Sequence, residues 1–209
     1  MSSAPVKTAV HPLLQKYLTE LSLHPVRTKA LTAGILCFLQ EVLGSNLAGV
    51  PVRKSAQDAP FVARLLARTH ITSKALKMAL YGFLVSAPLS HYLVGLLQRV
   101  FAGKTGKGVR LTQILASNLL VAPIQTTVYL ASMAVINGKD LLTTIKGGFF
   151  PVLKVQWIAS PLSITIAQSF IPVEFWVPFF NAVQFTLGTF FNMRVKQAEL
   201  RKNKDKDRK

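Results

Sequence analysis

Five long apolar blocks, separated by connectors that hold almost all of the charge, set the pattern of this chain. The first runs over about 29–50 behind a basic collar of Arg27 and Lys29. The others cover about 75–97, 111–136, 148–171 and 173–193. Blocks of roughly 20 apolar residues match the hydrocarbon thickness of a bilayer when helical. Charge confined to the connectors is the mark of a polytopic helical membrane protein. The pattern predicts an all-α fold, a polytopic membrane bundle of four or five proline-kinked transmembrane segments. The block at 148–171 is dotted with Lys154, Gln156, Ser160, Ser163 and Gln168, so it is expected either to cross or to form a re-entrant or broken helix.

Ahead of the first block, Leu13, Leu14, Tyr17, Leu18 and Leu21 recur at helical spacing. They predict an amphipathic helix lying on the membrane or against the bundle, ended by His24-Pro25. Behind the last block, residues 194–209 alternate Lys and Arg with Asp, Glu and Asn and predict a solvated, disordered tail. Three regions result: an N-terminal piece at 1–28, a bundle at 29–193 and a basic tail at 194–209.

Each block carries one stripe of small and polar residues at steps of three and four, hence on one helical face. The stripes are Gly34, Cys37, Glu41, Gly44 and Ala48; Pro88, His91, Gly95 and Gln98; Asn118, Ala122, Gln125, Tyr129 and Ser132; Gln156, Ser160, Ser163 and Ala167; and Asn181, Gln184, Gly188 and Asn192. Small residues let helices approach and polar ones bond across the interface. The same stripes could instead converge on a wet path. Glu41 is the sharpest member, because a carboxylate at mid-bilayer costs about 2.5–3.5 kcal/mol on insertion scales. It is expected to pair with His91 or an amide, or to face solute. Candidate intramembrane polar residues are therefore Glu41, His91, Asn118, Gln125, Gln168, Asn181 and Gln184. Pro88, Pro123, Pro161 and Pro178 each free a carbonyl one turn earlier and are the candidate kinks.

Composition changes this picture little. Half of the residues are hydrophobic and 16% are charged, below the quarter or so usual in soluble domains. The net charge of +17 does not point to nucleic acid, since the basic residues flank apolar segments and no nucleic-acid-binding signature appears. Contact with anionic membrane lipids accounts for it. The Gly103-Lys104-Thr105 turn lacks the glycine a phosphate loop needs at position 98, where Gln98 stands. No metal-ligand spacing or nucleophile motif is present, so no enzyme activity and no cofactor are expected. Counting Lys and Arg does not choose the topology: four crossings divide them 16 against 9, and five divide them 8 against 17.

Several of these residues resemble a known family, the small integral membrane proteins of peroxisomes and the inner mitochondrial membrane typified by peroxisomal membrane protein 2 and the Mpv-seventeen protein. The resemblance rests on Tyr17-Leu18, His24-Pro25, Arg27-Thr28-Lys29-Ala30, Leu80-Tyr81-Gly82-Phe83, Pro88, His91, Pro123, Pro151, Trp157, Pro161, Ile171-Pro172 and Asn181. Glu41 falls where the family usually has Asp. Ser160 and Trp176 depart from a tryptophan and an arginine of its C-terminal signature. The resemblance implies a four-span protein of the peroxisomal membrane, or alternatively the mitochondrial inner membrane. It also implies a pore for small-molecule solutes, a homo-oligomer, and recognition of Lys7 to Lys29 and the 98–110 loop by peroxisomal import factors. The rival expectation is a membrane scaffold or tether that organises peroxisome-derived organelles.

Overall fold

A computed structural model describes residues 11–51, 72–104, 106–172 and 175–206. Every regular element among them is helical. The connector expected between the first two crossings lies mostly outside the described residues, as does the start of the N-terminal piece. Helix α1 (Pro12–Leu23) and helix α2 (Pro25–Leu47) are separated by His24 alone. Pro25 opens α2 in its first turn, where its missing N–H costs nothing. Helix α3 runs from Ser73–Tyr81 through a π-helical turn, Gly82–Ser86, into Ala87–Val100. Helix α4 repeats that plan, from Lys107–Ala116 through a π turn at Ser117–Val121 into Ala122–Asn137. Gly138, at φ 61°, caps α4 in the left-handed region glycine tolerates. Asp140 then caps helix α5 (Leu141–Phe170) by accepting from the Thr143 amide at 2.7 Å. Helix α6 covers Trp176–Lys206.

Four helices are long and apolar enough to cross a membrane: α2, α3, the Thr112–Asn137 part of α4, and α5. The segment at 148–171 thus belongs to one continuous 30-residue helix and is not re-entrant. Helix α6 packs alongside α2 and runs in the same direction. Gly188 lies against Gln40 and Gly44 against Asn192, so the residue numbers rise together. Helices α2 and α3 run antiparallel, with Gly82 at Ala33 and Lys74 at Glu41. Helices α4 and α5 do the same, with Gly148 at Leu130 and Gln156 at Thr126. This alternation puts the α2 C-terminus, the 138–140 turn and the α6 C-terminus at one end of the bundle.

The tail expectation is corrected. Helix α6 does not stop near residue 193 but continues to Lys206, and Lys196 is buried. The reason is register: Gly188, Asn192 and Lys196 are successive steps of four on one face, and that face is covered by α2. Pro178 is also corrected as a kink. It stands in the first turn of α6, where no intrahelical bond is lost. At Pro88 and Pro123, where kinks were expected, the helix instead carries a π turn ahead of each proline. Each π turn ends two residues before its proline, and the wider ring shifts the bond pattern by one residue, as in Ala87 N–H to Gly82 O and Ala122 N–H to Ser117 O.

Candidate functional site

The site is the buried end of the α2–α6 seam. Two glycines make the seam possible. A Cβ on Gly188 would come within 2.5 Å of the Gln40 amide nitrogen, and one on Gly44 within 3.0 Å of Asn192. With both absent, the backbones approach closely enough for side chains of one helix to reach the main chain of the other. Gln40 Nε2 donates to the Gln184 carbonyl at 3.1 Å and the Phe185 carbonyl at 3.4 Å. Asn192 Nδ2 donates to the Gln40 carbonyl at 3.2 Å.

Glu41 lies at the centre, 1% exposed. Its Oε1 accepts from Lys196 Nζ at 2.6 Å, and its Oε2 from Asn192 Nδ2 at 2.6 Å. Lys196 Nζ also donates to the Glu41 carbonyl at 3.2 Å and to Ser45 Oγ, while Ser45 Oγ donates to the same carbonyl at 2.8 Å. Three acceptors therefore surround an ammonium that has three protons to give. Lys74, near the start of α3, adds a second and looser cation 3.7 Å from Oε1. Burying either charge alone would cost several kcal/mol, and the pair is tolerable because the remaining hydrogen-bonding positions are filled as well. Six residues separate Glu41 from the end of α2, about 9 Å of helix, so the cluster sits toward one membrane face.

The expected partnership with His91 does not form. His91 lies 17 residues beyond Lys74 on the same helix, about 25 Å away, and is half-buried. The amide partner that was expected does form, through Asn192. Lys196 escaped sequence reading because it falls in the basic 194–209 stretch that reads as a solvated tail. Its only signal was the four-residue step that continues the stripe from Asn192.

The remaining candidates scatter. Asn181 Nδ2 donates to the Tyr17 hydroxyl at 3.4 Å, and Thr32 Oγ1 reaches the same hydroxyl at 3.5 Å, tying α1 to both seam helices. Gln184 exposes its side chain and contributes only its carbonyl. Gln125 is half-buried on α4 beside Thr126, whose hydroxyl donates to Gln156 Oε1 at 3.2 Å. Gln168 is exposed near the end of α5. Asn118 bonds its amide back to Ile114 of its own helix at 3.1 Å. The Asn118 carbonyl is the acceptor that Pro123 leaves empty in the π-helical pattern, and the Trp157 indole N–H fills it at 2.8 Å. Trp157, expected as a packing or interfacial aromatic, is thus the group that makes the α4 proline affordable in lipid.

Among the described residues no cluster of three His, Cys, Asp or Glu could hold a metal ion.

Residues 134–192, from the last turn of α4 into α6, match the Mpv17 / PMP22 family. The chain is 47% identical over 191 residues to the Woronin body membrane protein wscA of Aspergillus fumigatus, covering 90% of this chain and 78% of that one. It is 44% identical to the Woronin sorting complex protein of Neurospora crassa, again over 90% of this chain but only 58% of that longer relative. It is 31% identical to peroxisomal membrane protein 2 of Bos taurus, covering 81% and 83% of the two chains. No solved structure matches.

Proposed function

Because the chain belongs to the Mpv17 / PMP22 family, as a multi-pass protein of the peroxisomal membrane, we propose that it forms a non-enzymatic pore for small solutes, built between copies of itself. One observation carries this reading: the polar groups of the membrane region fall into two sets with different fates. Those on α2 and α6 close on each other, with Glu41 sealed by Lys196 and Asn192. They leave no opening for solute along that seam. On the outer face of α5, Lys154 stands near mid-helix and remains exposed on the single chain, while the exposed Thr165 hydroxyl is returned to the Pro161 carbonyl of its own helix at 2.8 Å. Polar groups at membrane depth that face out of the bundle call for a water-filled space or further protein. Assembly of several copies around that face supplies both.

The test is release of small solutes from liposomes carrying purified protein. Release above that of empty liposomes is expected. Its absence, with helical content and oligomeric state verified in the same vesicles, overturns the reading.

A scaffold role in peroxisome-derived organelles is the second reading. It is favoured by the names of the two fungal relatives and by the continuation of α6 past the sealed cluster as a basic helix to Lys206. Truncation separates the two readings, provided the cut falls beyond Lys196. Removing 202–209 should abolish partner recruitment by a scaffold and leave solute release by a pore intact.

A further inference from the structure

Lys154 stands near the middle of the 30-residue helix α5. It lies about 20 Å from the start of that helix. It also lies two residues from Gln156, which bonds to Thr126 near the middle of the crossing part of α4. Its side chain is exposed, and none of the described residues pairs with it. A cation at this depth has three possible environments. Hydrocarbon is one, at a cost of about 2.5–3.5 kcal/mol or more. The headgroups lie half a core away, about 15 Å, beyond the reach of a four-carbon stem. A carboxylate from a second copy is the next possibility. Glu41 is already bound by Lys196, and the seven other acids lie in α1, in connectors or beyond Lys196. Water is the third. The face around Lys154 is short of large hydrophobes: Gly147, Pro151, Ile158, Pro161, Thr165 and Gln168 share its side of α5 at alternating steps of four and three, all are exposed, and Ile158 is the one large apolar side chain among them.

We propose that Lys154 lines the water-filled path between copies and makes it selective for small anionic solutes, carboxylates and phosphates. The inference rests on the pore reading above and names its solute class. The wider charge distribution works in the same direction. A net charge of +17, held mostly outside the apolar blocks, raises the concentration of anions near the protein.

The experiment measures reversal potentials of the full chain in planar bilayers under a potassium chloride gradient. Wild type should favour chloride. Lys154→Gln should lose most of that preference, and Lys154→Glu should reverse its sign. A second readout is Lys154→Cys in a Cys37→Ser background, since Cys37 is the single native cysteine. A water-soluble thiol reagent should modify the introduced cysteine in reconstituted vesicles. Conductance with unchanged selectivity in both charge variants, or a cysteine that stays protected, overturns the assignment of Lys154 while the pore reading stands. Absence of conductance in every variant, wild type included, overturns both.

Discussion

The α2–α6 seam and the outer face of α5 carry the same kinds of residue to opposite ends. Each has glycine, an amide and a lysine at helical spacing. On the seam, glycines let two backbones touch, and Lys196 meets a carboxylate, a backbone carbonyl and a hydroxyl. On α5 the glycine Gly147 has nothing within 4 Å of its would-be Cβ, and Lys154 bonds to no described residue. A polar stripe therefore does not reveal its role by composition. Its role depends on whether a second helix brings the complementary group within about 3 Å.

The largest effect expected from breaking this contrast is at Glu41. Glu41→Ala leaves Lys196 buried without its counter-charge, and removing one partner of such a pair costs about 3–5 kcal/mol. The variant should be recovered poorly and melt early in detergent. A Glu41→Leu, Lys196→Leu double variant should regain most of that loss, because two apolar side chains need no pairing. If the double variant is as unstable as the single one, the ion pair is not what holds the seam.

A smaller effect is expected where helices touch through glycine. A Cβ on Gly82 would lie 2.5 Å from the Ala33 carbonyl oxygen, which is backbone and cannot swing away. Gly82→Ala should push α3 off α2 and cost about 1–3 kcal/mol, as overpacking does. Gly95→Ala, with nothing within 4 Å, should be silent. Paired melting curves of the two variants make the check.

The smallest effect is at the α4–α5 turn. The Thr143 amide holds the Asp140 carboxyl below its ordinary range. A depressed carboxylate contributes stability that is present above its unfolded pKa and lost as pH falls through the folded one. Asp140→Asn or acidification should therefore loosen only the first turn of α5, seen as faster amide exchange at Thr143 and Thr144. At neutral pH the native cap should show slow exchange there.

Much of this was legible in the sequence because the signals are local. A run of apolar residues reports a lipid-facing helix whatever its neighbours do, so the blocks that form the four membrane-length helices could be read directly, while the choice between four and five crossings could not. Proline positions were legible, but their consequences were not. Pro88 and Pro123 follow π-helical turns within a helix, whereas Pro178 stands in the first turn of one, and the difference lies in where each helix starts. Trp157 reads as an ordinary aromatic until the carbonyl it satisfies, 39 residues away, is seen beside it.

Local chemistry alone determined that this chain is helical, belongs in a bilayer and keeps one carboxylate where lipid would not accept it. Tertiary structure alone decided which cation answers that carboxylate, that 194–206 is helix and not loose tail, and that α6 runs parallel to α2. The physical reason is range. Hydrophobic periodicity is written within one turn of helix, whereas Glu41 and Lys196 are 155 residues apart in sequence and meet only when two helices pack in register.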